Sequence, residues 1–198
     1  MIDFDSFKIK VSDQALMVAT GKTLLVVYPF ADSKNAAGKL LTSLGVDLAK
    51  LFAKIWPDHR DFPSGESVWL KMPAGARFPR VIVYFAGTSG TPHDVVVDVL
   101  ASMVEEGLKD EEVSIVWDFL PVGRQFGPTE TLGLDPEGIY AALMHESLYV
   151  GLVSFQDNWE HPVTIVVLAG EDAQVATTLY ERVRDGYKAS LIYAGNCG

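Results

Sequence analysis

The spacing of apolar positions changes along the chain, and each change predicts a new element. Thr23-Leu24-Leu25-Val26-Val27-Tyr28 is a continuous apolar, β-branched run stopped by Pro29, the pattern of a strand covered on both faces. Between 36 and 55 the spacing lengthens to steps of three and four. Ala37, Leu40, Leu41, Leu44, Leu48, Leu51, Phe52 and Ile55 then share one face, which predicts one amphipathic helix ending before Pro57, with Gly45 as an internal weak point. Strands are predicted at 67–72 and 81–85, joined by a Pro/Gly-containing connection. Residues 93–107 carry Val95, Val96, Val99, Leu100, Met103 and Val104 at helical spacing, with Thr88 or Thr91 as cap and Pro92 in the first turn. Strands follow at 113–117 and 163–168. Helices are predicted over 136–150, opened by Asp135 and Pro136, and over 171–191. A Gly/Pro-rich loop spans 120–134, and two short apolar runs in 7–19, around Ser12-Asp13, read as a β-hairpin.

After residue 60 strands alternate with helices. That order predicts an α/β domain of three layers, with helices on both faces of a mixed, mostly parallel central sheet. The length of 198 residues and the lack of any linker or repeat suit one domain over 1–198.

Charge narrows the partners. Sixteen Lys and Arg against 26 Asp and Glu leave a net −10, which speaks against nucleic acid and anionic membrane as partners. The single cysteine, Cys197, can build neither a disulfide framework nor a structural zinc site. The acidic start Met1-Ile2-Asp3-Phe4-Asp5 is unlike a signal peptide, and no apolar stretch has membrane-spanning length. A cytoplasmic protein is expected.

Candidate chemistry is sparse. His59, His93, His145 and His161 are not near neighbours, so no metal site is expected. Ser64-Gly65-Glu66-Ser67 and Gly87-Thr88-Ser89-Gly90 place serines beside glycines without the spacing of a nucleophile elbow. Gly87-Thr88-Ser89-Gly90-Thr91, between a strand and a helix start, has the composition of an anion-binding turn but lacks a P-loop lysine, and Asp94 opposes an anion there. Arg124, in Pro121-Val122-Gly123-Arg124-Gln125-Phe126-Gly127-Pro128, follows another strand and could meet a carboxylate or phosphate. Trp56, Trp69, Trp117 and Trp159 read as core or interface. No catalytic or metal-ligating residue is assigned, and cofactor-binding residues stay open.

Three blocks, in order, resemble the N-terminal domain of the leucyl aminopeptidase (cytosol aminopeptidase) family. They are Thr23-Leu24-Leu25-Val26-Val27 with the apolar helix through Leu51; Phe62-Pro63-Ser64-Gly65-Glu66-Ser67-Val68-Trp69-Leu70 with Arg80-Val81-Ile82-Val83-Tyr84-Phe85-Ala86-Gly87; and Ile139 through Phe155-Gln156-Asp157. Tyr180 to Asn196 is similar to the family's helix before its catalytic half. Departures fall around Pro63-Ser64 and in Lys188-Ala189-Ser190-Leu191-Ile192-Tyr193, which lacks the family's arginine and aspartate. The resemblance implies a macro-like fold and a non-catalytic, assembly or regulatory domain. The full-length enzyme would remove N-terminal amino acids from peptides using two divalent metals, such as zinc or manganese, in a catalytic domain that follows this segment. The implied partners are that catalytic domain and further copies of the chain. A second, fainter likeness is to ADP-ribose-binding macrodomains, carried by Asn35-Ala36-Ala37-Gly38 and Leu44-Gly45-Val46-Asp47; it implies a stand-alone module that binds ADP-ribose or a related nucleotide.

Overall fold

The computed structural model of the chain describes residues 7–12, 14–29, 36–57, 63, 65–86, 92–105, 108, 111–117, 163–168, 177–178 and 180–186. In chain order the elements are β1 (Phe7–Ser12), α1 (Ala15–Val18), β2 (Thr23–Pro29), α2 (Ala36–Ser43), α3 (Leu48–Ile55), β3 (Ser67–Lys71), β4 (Arg80–Ala86), α4 (Pro92–Glu105), β5 (Val113–Trp117) and β6 (Val163–Leu168). Residues 177–178 and 180–186 are helical, within the predicted last helix. The predicted loop 120–134 and helix 136–150 lie outside the described residues.

The strands form one sheet in the order β1-β6-β5-β2-β4-β3. Among the described residues four pairings are parallel, and only β3 runs antiparallel, against β4. The sheet is therefore mixed and mostly parallel, as the alternation of elements predicts. Its centre is buried on both faces: β4 from Val81 to Ala86 and β5 throughout are inaccessible or nearly so. Alternate residues serve alternate faces. Leu24, Val26, Tyr28, Val81, Val83, Phe85, Val116 and Val166 join Ala15, Ala37, Leu41 and Leu51 of the first three helices, and Ala19 just after α1, in one core. Their neighbours Leu25, Val27, Ile82, Ile115 and Trp117 are buried on the opposite face. α4 contacts β4 and buries Val96, Val99, Leu100 and Met103.

Two local expectations need correction. The hairpin expected over 7–19 is a strand followed by a one-turn helix. β1 pairs in parallel with β6, from Phe7↔Val163 to Ser12↔Leu168, a partner too distant in sequence for local patterning to reveal. α1 survives at four residues because cations take its last carbonyls: Arg77 Nη2 donates to Ala19 O at 2.8 Å, Lys10 Nζ donates to Val18 O at 3.1 Å, and Arg77 Nη1 donates to Leu16 O.

The single helix expected over 36–55 is two. Gly45 holds φ +83°; its N–H reaches Thr42 O at 2.9 Å and the Val46 N–H reaches Leu41 O at 3.0 Å. This reciprocal pattern ends a helix at a left-handed residue. Asp47 then caps α3, its carboxylate accepting Lys50 N at 3.1 Å. The apolar period runs through the corner because both helices cover the same core.

Candidate functional site

Parallel strands bring their carboxyl ends to one border of the sheet, and here those ends are Pro29, Ala86, Trp117 and Leu168. β2 lies between β4 and β5. From β2 the chain passes through α2, α3 and β3 to β4 on one side; from β5 it continues to β6 on the other. The connections thus part between β2 and β5, and such a parting leaves a crevice beyond the carboxyl ends of the two strands.

The strand ends beneath this crevice are aromatic on both faces. On the α2–α3 face the rings of Tyr28 and Phe52 meet edge-on at 5.4 Å, Tyr28 and Phe85 at 5.6 Å, and Phe52 with Phe85 and with Trp56 at 6.4 Å. On the other face Val27 sits in register with Tyr84 on one side and Trp117 on the other. Both aromatic residues are buried. Aromatic packing of this kind makes a stiff base, since each ring has few torsions to lose. Two helices open toward the same end: α2 begins at Ala36 and packs back on β2, and α4 begins at Pro92 after β4. Helix starts present unpaired N–H groups and the positive end of the helix dipole.

The structure separates the residues singled out in the sequence. Ala36-Ala37-Gly38 forms the first turn of α2 at the crevice end, with Ala37 and Gly38 buried; Asn35 lies just outside the described residues. Leu44-Gly45-Val46-Asp47 is not brought to that end. It is the corner between α2 and α3, and it shares a surface groove with Lys71 and Pro73 beside the start of β4. Gly65 and Glu66 reach the crevice end, where Gly65 N donates to Phe85 O at 2.8 Å and Phe85 N to Glu66 O at 2.9 Å. Ser67 is in β3 and His93 in α4. Ser64, the Gly87–Thr91 turn, Arg124, His59, His145, His161, Trp159 and Cys197 lie outside the described residues. Among the described residues no group of three or more His, Cys, Asp or Glu could hold a metal ion, and no helix is long and apolar enough to cross a membrane. The aromatic base was missed in the sequence, although its signal is there: Tyr28 and Phe85 each stand at the exit of a buried strand.

No protein-family model matches the chain, and no curated protein is similar to it in sequence. Solved structures are similar to it in fold. The chain is similar to the Oceanobacillus iheyensis macrodomain with MES bound, with TM-score 0.58 and 15% identity over 96% of each chain. The same macrodomain with ADP gives TM-score 0.58 and 16% identity, over 96% of this chain and 95% of that one. The Trypanosoma brucei macrodomain in complex with ADP gives 0.55 and 13%, over 89% and 68%. A tomato leucine aminopeptidase gives 0.50 and 13%, over 90% of this chain but 35% of that one.

The fold is macro-like. The expectation of a leucyl aminopeptidase N-terminal domain is overturned: the Oceanobacillus iheyensis macrodomain aligns nearly end to end, while the aminopeptidase matches over about a third of its own length and no aminopeptidase sequence matches. The described parts of the first two blocks follow the strand and helix order of the macro-like fold, which the two kinds of protein share, so their order reports fold rather than peptidase function; the third block lies outside the described residues.

Proposed function

We propose that this chain is a macrodomain-like module that binds ADP-ribose or a related nucleotide in the crevice beyond the carboxyl ends of β2, β4 and β5. One observation carries the reading. The connections part at β2 and β5, and the helix leaving β2 opens at that same end with Ala36-Ala37-Gly38, which Asn35 precedes in the sequence. A diphosphate there would meet helix-start N–H groups, and an adenine would lie above strand ends braced by the buried aromatic packing. The macrodomains described with ADP support the choice of ligand class.

Calorimetric titration of the chain with ADP-ribose, ADP and AMP tests the proposal. Saturable one-to-one binding of ADP-ribose, lost in Asn35→Ala with the unfolding midpoint unchanged, is the expected result. A folded protein that gives no heat with ADP-ribose or ADP at millimolar ligand would sink it.

A further inference from the structure

Between α3 and β3, on the border of the sheet, the surface is cut by an open groove of about 430 Å³. Its floor includes Leu51, Val68, Leu70 and Met72, which belong to or pack on the core beneath. Its rim is cationic. Lys50 and Lys54 stand one turn apart on α3, and Lys71 ends β3 across from them. Asp47 is the single carboxylate among the lining residues; it is already engaged, capping α3 and lying 3.4 Å from Lys50 Nζ. Among the described residues neither Lys54 nor Lys71 forms an ion pair. In a chain of net charge −10, three lysines gathered round an apolar trough form a local field of the opposite sign, which attracts and orients an anionic partner.

We propose that this groove docks an acidic polypeptide segment in extended form, its apolar side chains on the floor and its carboxylates on the lysine rim. The shape favours a chain segment. The groove follows β3, the last strand in the sheet order, and five strand residues span about 17 Å, enough for an extended partner of similar length. Trp69 is 43% exposed on the same strand and adds the kind of amphipathic area found at binding surfaces. The site goes beyond the nucleotide reading. Lys71 is in register with Arg80, the first residue of β4, so the groove reaches toward the opposite end of the sheet from the crevice.

The test uses the whole chain and a fluorescein-labelled peptide of about ten residues alternating Glu with Leu or Val, long enough to span the groove. Saturable binding that weakens with added salt is expected. Lys54→Gln with Lys71→Gln should weaken it, and Lys54→Glu with Lys71→Glu should weaken it at least about tenfold, with unchanged unfolding midpoints because these side chains stand on the surface. Three results would overturn the proposal: equal binding of the peptide with every Glu replaced by Gln, indifference to charge reversal, or binding of phosphatidylserine vesicles without binding of the peptide. A change of oligomeric state in the charge-reversal variants, read by light scattering, would assign the groove to a second copy of the chain and also overturn it.

Discussion

Ser114 Oγ accepts the backbone N–H of Thr20 at 2.7 Å and donates to the carbonyl of the same residue at 2.9 Å. Both backbone groups of one turn residue are thus satisfied by a side chain 94 positions away. Thr20 Oγ1 meets Thr164 Oγ1 at 3.0 Å, and Thr164 is in register with Ser114 across β5 and β6. Ser114 is fully buried and Thr20 half-buried, so replacing the serine takes the side-chain partner from both an N–H and a C=O. Ser114→Ala is expected to cost about 1–3 kcal/mol, lowering the unfolding midpoint by several degrees at about 2–4 °C per kcal/mol for a domain of this size. Thermal unfolding followed by circular dichroism checks this; an unchanged midpoint would mean that the pair contributes nothing.

The next residue makes the same contact tighter. Gly21 holds φ +76°, and a Cβ placed on it would lie 2.0 Å from the carbonyl oxygen of Glu112. Gly45 has a similar φ of +83° but open space around its Cβ position. Gly45→Ala therefore carries only the left-handed strain of about 1 kcal/mol. Gly21→Ala carries that strain and must also push two turns apart, a combined loss of about 3 kcal/mol or more. Equal destabilisation of the two variants in parallel denaturation would contradict the close approach.

How much of this was legible depended on whether the signal was local. The runs ending at Tyr28 and Phe85 announce buried strands because a residue buried on both faces needs no polar alternation. Neither the parallel partner of β1 nor the reach of Ser114 to Thr20 leaves a local mark, since each joins segments far apart in sequence. The corner at Gly45 was legible in principle: a glycine followed two residues later by Asp47 is a stop and a start. The uninterrupted apolar period hid it, because Leu44 and Val46 pack on the same core as the helices they separate. The stretch Asn35-Ala36-Ala37-Gly38 was visible, but the aromatics at the strand ends are ordinary core residues whose meeting depends on the sheet order.

That corner also fixes a pH dependence. The Asp47 carboxyl is held below its ordinary value of 3.8, chiefly by the Lys50 backbone N–H it accepts, with the Lys50 ammonium adding to the effect against some desolvation. A folded-state value below the unfolded one contributes stability that is full above the unfolded value and is lost as pH falls through the folded one. Asp47→Ala should thus be less stable than the parent at pH 7, and the gap should narrow as pH falls toward 2 without closing, because the protonated carboxyl still offers its carbonyl oxygen to the Lys50 N–H. Asp47→Asn keeps an uncharged acceptor, so its difference from Asp47→Ala should persist at both pH values. Urea midpoints of the three proteins at each pH are the measurement, and a parent–Ala gap independent of pH would refute the cap's charge dependence.

The two proposed sites sit beside different tryptophans, which allows them to be read separately in one protein. Trp56 belongs to the aromatic group under the crevice and Trp117 ends β5 there, whereas Trp69 lies on the groove strand. ADP-ribose should therefore alter emission through Trp56 or Trp117, and the change should vanish in Trp56→Phe with Trp117→Phe but survive Trp69→Phe. The acidic peptide should show the reverse dependence. The substitutions keep an aromatic ring at each position; Trp117→Phe opens a small cavity and is expected to cost about 1–2 kcal/mol, which the parent's stability must absorb before ligand is added. If the ADP-ribose signal followed Trp69, the ligand would be bound at the sheet border and the crevice assignment would be wrong. If the peptide signal followed Trp56 or Trp117, the acidic segment would be entering the crevice, and the groove would lose its assigned partner while the nucleotide reading stayed open to calorimetry.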